Sequence, residues 1–234
     1  MCLTLAALFS HSTVIINSVA GPGVDLTLAC RSIAPTVAVI SAETAAKLHS
    51  ASKASVTSAP KKFAHHLESR MLTAGRLPTD TILTRLNAPS RASIGTTPGK
   101  LRLLFVSERA GLNTPPLTSN DLSDLRIYTK ARVVYALTAA QVAGAVAQTN
   151  VYDYRRGNAP SSKHSHFGVP LSSLEVKLKD TPQHRTTDEQ SAGELVVTGS
   201  SVAGGEASLG VNGKSLSYSF ARDTVLTLNS YLQR

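Results

Sequence analysis

Tryptophan is missing from this sequence, cysteine occurs twice, and Phe and Tyr together make up 5% of its 234 residues. Each scarcity excludes something. Cys2 and Cys30 cannot build a disulfide framework, and with no CxxC pair or spaced His ligands there is no zinc pattern. A reducing, intracellular setting is the expectation, either cytoplasmic or peripheral to an intracellular membrane. No stacking aromatics interleave the basic residues, which makes single-stranded nucleic acid a poor partner. Charged residues are only 17% against 42% hydrophobic ones, so a chain disordered throughout is excluded. Heptads and Gly-X-Y runs are absent, which removes coiled coil and collagen.

Acidic charge is also short, with 15 Asp+Glu against 24 Lys+Arg and a net charge of +9. The excess concentrates in residues 61–130, with 11 basic and 5 acidic side chains. Such a segment could meet nucleic acid, an anionic membrane surface or a phosphorylated ligand. Lys61, Lys62, Arg70, Arg76, Arg85 and Arg91 are nevertheless spaced like solvated faces of helices and loops. From Met1 to Val24 there is no charge at all, a length that permits a membrane span. Ser10, His11, Ser12, Asn17, Ser18, Gly21 and Pro22 interrupt the run, and no basic residue flanks it as a span or signal peptide requires. It reads as a buried helix, Leu3–Phe9, turning into a buried strand, Thr13–Ile16. His65-His66 and His164-x-His166 lack a third metal ligand and read as surface histidines.

What is present alternates between helix and strand. After the Gly21-Pro22-Gly23 turn, Asp25 is placed to cap a helix running to about Ile33. Pro35 ends it, Thr36–Ile40 follows as an apolar strand, and Ser41 caps a helix from Ala42 to His49 or beyond. A Ser/Ala/Lys-rich helical region and a Pro-containing loop occupy 50–100, before a strand over Leu101–Val106. Asn113–Pro116 is a turn, Asp121–Ala131 a helix and Val133–Tyr135 a strand. Near-continuous apolar strands between helices imply a mainly parallel, buried sheet. After about residue 150 the period changes to strict alternation, as in Leu174–Leu178. The expected fold is therefore α/β: residues 1–150 as a helix-flanked sheet and 151–234 as a β-rich part of the same domain, with a divergent tail after about 205.

Four segments occur in a telling order. Leu101–Ser107 is a strand entering the loop Glu108-Arg109-Ala110-Gly111-Leu112, and Tyr135-Ala136-Leu137-Thr138 follows about two dozen residues later. Then come Phe167-Gly168-Val169-Pro170-Leu171 and Gly193-Glu194-Leu195-Val196-Val197-Thr198-Gly199. Together they resemble the later part of the large domain of AMP-dependent acyl-CoA synthetases, the adenylate-forming ligases. The matching family signatures are a Ser-Gly-Gly-Ala-Pro-Leu loop, Tyr-Gly-x-Thr-Glu, a Gly-x-Pro turn and a Gly-Glu-Leu-type strand. The resemblance spans about residues 5–205.

The resemblance implies ATP-dependent activation of a fatty or other carboxylic acid and its transfer to coenzyme A, with ATP/AMP, Mg²⁺ and coenzyme A as cofactors. It places the Thr138 hydroxyl on the α-phosphate as the catalytic group and Tyr135 against adenine. Backbone of Ala110 and Gly111, with Ala136 and Leu137, would line the nucleotide pocket. On local grounds alone, Tyr135 is a core residue at a strand end and Thr138 the cap of a helix over Ala139–Ala147.

Three departures from the family pattern bear on activity. Ala139 stands where Glu should follow Thr138, and Glu108 and Arg109 replace loop glycines that let backbone approach a ligand. The family's phosphate loop, ribose-binding aspartate and C-terminal lysine domain have no counterpart in these 234 residues. Ser93–Lys100 imitates a phosphate loop, but Gly95 and Gly99-Lys100 are one residue too close for a Walker loop and a strand follows. Asp223 lacks the Thr-Gly that precedes a ribose aspartate. The expectation is a truncated domain, weak or inactive alone, or a non-catalytic remnant serving as an interaction or regulatory module. Exposed apolar surface within Met1–Val24 is expected; a fluorescent apolar dye should bind the native chain, and no dye binding would contradict it.

Overall fold

The structure is a computed structural model that describes residues 2–16, 24–30, 32–79, 81–82, 84–90, 94, 101–111, 117–154, 165–181, 185–187, 192–211, 214–220 and 226–231. The Gly21–Gly23 and Asn113–Pro116 turns, Leu112, His164, Asp223 and the Ser93–Lys100 stretch apart from Ile94 lie outside them. Helix α1 (Cys2–Phe9) forms where a helix is expected but is not buried: Leu5, Leu8 and Phe9 are exposed, because no described element packs over them. Thr13–Ile16 is not a strand: no strand among the described residues pairs with it, and Ile15 and Ile16 are exposed. An isolated extended segment leaves its backbone groups to water and gains nothing from being a strand.

Asp25 caps α2 (Leu26–Ala29) by accepting from the Thr27 and Leu28 amides. The Thr27 hydroxyl, which also donates to this carboxyl, is the main reason its pKa lies below the ordinary value. The helix stops at Cys30 and not near Ile33, because only Leu26 is buried and packing cannot extend so short a helix.

Strand β1 (Val37–Ser41) turns Ala38 and Ile40 inward. Ser41 closes the strand and caps α3 (Ala42–Ala54) by accepting from the Thr44 amide. Helix α4 (Ala59–Thr73) and a 3-10 segment (Thr84–Ser90) precede β2 (Leu103–Arg109). Thr118 and Asp121 form a reciprocal capping box for α5 (Ser119–Thr129), which leads into β3 (Arg132–Thr138). Strands β1 and β3 both pair parallel to β2. Parallel pairing needs crossovers, which α3 with α4 and then α5 supply.

Antiparallel β4 (Ala145–Gln148) and β5 (Val169–Pro170) complete a five-stranded sheet in the order β1-β2-β3-β4-β5. Gly168 enters β5 at φ +82°, and a Cβ there would overlap the Gln148 carbonyl. A second sheet holds β6 (Glu175–Lys179), β7 (Ala192–Thr198), β8 (Glu206–Ser208), β9 (Gly210–Val211), β10 (Lys214–Phe220) and β11 (Leu226–Tyr231). Its order is β11-β10-β7-β6, with β8 on β7 and β9 on β10. Leu195 and Val197 of β7 join one core with Leu104, Val106, Leu125 and Tyr135, so apolar burial runs through both sheets.

The helical layer is pinned by polar contacts inside it. Asp124 of α5 accepts from His49 Nε2 of α3 at 3.1 Å and from His65 Nε2 of α4 at 3.0 Å. An ionised carboxylate can only accept, so both imidazoles donate through Nε2. His65 also stacks on Tyr128, with centroids 5.4 Å apart. Thus His65 is a packed interhelical residue and not a surface one. Burial, then the Asp124 and Glu68 charges, push the Tyr128 phenol far above its ordinary pKa.

Glu68 of α4 is fully buried; it pairs with Lys130 and accepts from Asn87 Nδ2 at 2.6 Å. Removing one side of a buried ion pair strands the other, a loss of about 3 kcal/mol or more. Glu68→Ala should therefore lower the unfolding free energy by about 3 kcal/mol in denaturant titration. A change under about 0.5 kcal/mol, the range of ordinary surface substitutions, would show that the pair holds nothing together.

Candidate active site at the carboxyl ends of two parallel strands

In open sheets with parallel strands, ligands bind beyond the carboxyl ends of the strands. Here those ends belong to β2 and β3, whose register sets Ser107 beside Ala136, Glu108 beside Leu137 and Arg109 beside Thr138. The Ser107 and Thr138 hydroxyl oxygens lie 2.8 Å apart, and the Thr138 hydroxyl donates to the Glu108 carbonyl at 3.1 Å. A hydroxyl has one proton, so Ser107 is the donor in the pair. Thr138 can offer its proton to a ligand only by releasing the Glu108 carbonyl.

The strand continues to Arg109, so the loop begins at Ala110 and not at Glu108. The Ala110 amide donates to the Thr138 carbonyl at 2.6 Å, and Gly111 follows at φ +88°, a conformation suited to glycine. That amide holds the loop against β3 and is not directed at a ligand. Ala136 and Leu137 are buried within β3.

Beyond Thr138 the chain does not form the helix expected over Ala139–Ala147. A bulge lies between Leu137 and Thr138 against β4, and the connecting turn is bonded to the 199–205 turn. The Ala143 amide donates to Ser201 and the Ala203 amide to Gln141, each at 2.8 Å. Alanine-rich sequence favours helix locally, but these cross-chain bonds and the antiparallel partner override it. Thr138 is consequently a strand end and caps no helix.

Tyr135 is fully buried, its ring 4.9 Å from that of Phe167, and its hydroxyl meets no hydrogen-bond partner among the described residues. The ring packs in the core, where the resemblance would have it meet adenine. Glu108 is also buried, on the face opposite Ser107. Among the described residues no set of three His, Cys, Asp or Glu can hold a metal ion. With Ala139 in place of Glu, the described residues here do not fit Mg²⁺.

The structure therefore brings Ala110, Gly111, Ala136, Leu137 and Thr138 to one sheet edge and leaves Tyr135 in the core below it. Ser107 is a polar group to which the motif comparison assigns no role, although it stands at the serine of the loop signature. The architecture is α/β, with a parallel-rich five-stranded sheet at its centre.

The anthranilate CoA ligase AuaEII, solved with anthranoyl-AMP, aligns with 93% of this chain and 34% of its own, at 13% identity and a TM-score of 0.51. O-succinylbenzoate coenzyme A synthetase from Bacillus subtilis, solved with ATP and magnesium, aligns over 58% of this chain and 27% of its own (15% identity, TM-score 0.39). A benzoate CoA ligase from Burkholderia xenovorans LB400 aligns over 71% and 30% (14% identity, TM-score 0.40). The AuaEII superposition shows the shared fold, and this chain spans about a third of the length of these structures. No family profile and no curated protein matches the sequence.

A buried phenol hydroxyl without a partner costs about 1–3 kcal/mol. Tyr135→Phe should thus leave the melting temperature unchanged or raise it. A clear fall would reveal a hydroxyl partner and a role for that group beyond packing.

Proposed function

We propose that this chain is an adenylate-forming-ligase-like domain whose Ser107–Thr138 edge receives the α-phosphate of ATP or AMP. The reaction of this reading is activation of a fatty or other carboxylic acid and its transfer to coenzyme A. The observation that carries it is the hydroxyl pair at the adjoining carboxyl ends of β2 and β3, on a fold shared with AuaEII. Acyl adenylation moves negative charge onto phosphate oxygens, and donors placed in advance at that position stabilise it. Ser107 and Thr138 can supply such protons at the mouth of the sheet by letting go of each other and of the Glu108 carbonyl when the phosphate arrives. The Ala110–Thr138 backbone bond fixes where that mouth lies. Magnesium, when bound to ATP, neutralises phosphate charge; the described residues hold no carboxylate set for it.

Ala139 and the buried Tyr135 favour a second reading, a non-catalytic domain used for interaction or regulation. The two readings separate in one experiment: ATP, Mg²⁺ and a panel of fatty and aromatic acids, with pyrophosphate release and thermal shift followed together. The first reading expects an ATP-dependent rise in melting temperature, lost in Thr138→Val, with slow pyrophosphate release for at least one acid. Nucleotide binding without release for any acid supports the non-catalytic reading. Neither binding nor release sinks nucleotide use by this chain altogether.

A further inference from the structure

At the opposite end of the same strands lies a cavity of about 300 Å³, lined by Thr36, Val37, Arg102, Leu103, Arg132 and Val151. Arg102 precedes Ser107 by five residues, so the cavity sits roughly 16 Å along β2 from the hydroxyl pair. The backbone that frames it is fixed: the Arg102 and Leu103 amides both donate to the Thr36 carbonyl, and the Arg132 amide to the Arg102 carbonyl.

Two arginines, Arg102 and Arg132, line this one space, and neither forms an ion pair among the described residues. The Arg132 guanidinium lies over the Tyr152 ring, 4.8 Å from its centroid, which fixes its plane. Its Nε–H is buried with no acceptor among the described residues. Like charges facing one cavity repel, and a buried donor without an acceptor is unfavourable. An oxyanion between them relieves both. Guanidinium forks match carboxylate and phosphate oxygens geometrically. Val37, Leu103 and Val151 add apolar residues to the lining, and Thr36 a polar one.

We propose that this cavity binds a small organic oxyanion, a carboxylate or phosphate monoester on a compact apolar body, between Arg102 and Arg132. The site is separate from the reacting edge and does not depend on the adenylation reading.

The test titrates the full chain with benzoate, phenyl phosphate, inorganic phosphate and benzyl alcohol, read by calorimetry or amide shifts. Benzoate or phenyl phosphate should bind, whichever wins naming the headgroup, with inorganic phosphate and benzyl alcohol weaker by about tenfold or more. Arg102→Gln, an exposed position, should weaken the winning ligand about tenfold with an unchanged melt. Arg132→Lys keeps the charge but loses the fork, and should weaken it similarly. Thr138→Val should leave it unaffected, which keeps this result distinct from nucleotide binding. The proposal is overturned if neither organic anion binds, if Arg102→Gln changes nothing, or if benzyl alcohol or bare phosphate binds equally well.

Discussion

Strand β2 is where this structure is decided. It is the strand with parallel neighbours on both sides, and Leu104 and Val106 on its inner face are wholly buried. Parallel pairing forces each connection to cross over the sheet, so α3 packs against β1 and β2 and α5 against β3. It also aligns the carboxyl ends of β2 and β3, which sets Ser107 against Thr138. The candidate site and the arginine cavity are thus the two ends of one pairing, hydroxyls at one and two arginines at the other.

The helical layer depends on polar contacts as much as on apolar ones. Asp124 accepts from two imidazoles on different helices, and Glu68 pairs with Lys130 at the end of α5. Buried charges of this kind are costly unless all their partners are in place, which ties α3, α4 and α5 to one arrangement. The opposite face of β1 is different: Val37 and Val39 are both about half exposed. The apolar side chains of α1 and of Ile15 and Ile16 share that exposure. No helix among the described residues is long and apolar enough to cross a membrane.

The site's chemistry is mixed in a way that the motif order does not convey. The resemblance assigns Thr138 and the Ala110 loop to the nucleotide, yet their hydrogen-bonding groups are engaged with each other and with Glu108. The aromatic ring that the resemblance assigns to adenine is packed under Phe167. A domain can keep its fold through such changes, because core packing and strand register do not need the ligand-facing residues.

Local rules in the sequence determined the features whose causes are local. Ser41 capping a helix, Asp25 capping another, the apolar run into β1 and the alternation of Leu174–Leu178 were legible because each depends on near neighbours. Tertiary structure alone decided the rest. Ala139–Ala147 is alanine-rich, yet β4 forms there because it pairs with β3 and its turn is bonded to residues some sixty positions away. Thr13–Ile16 is β-branched, yet no strand among the described residues pairs with it. His65 is held by an aspartate on another helix, and Arg102 and Arg132 meet at a cavity only because β2 and β3 are parallel and in register. Propensity is a property of a few adjacent residues, whereas burial, pairing and charge partners come from residues distant in sequence, and those distances close only when the chain folds.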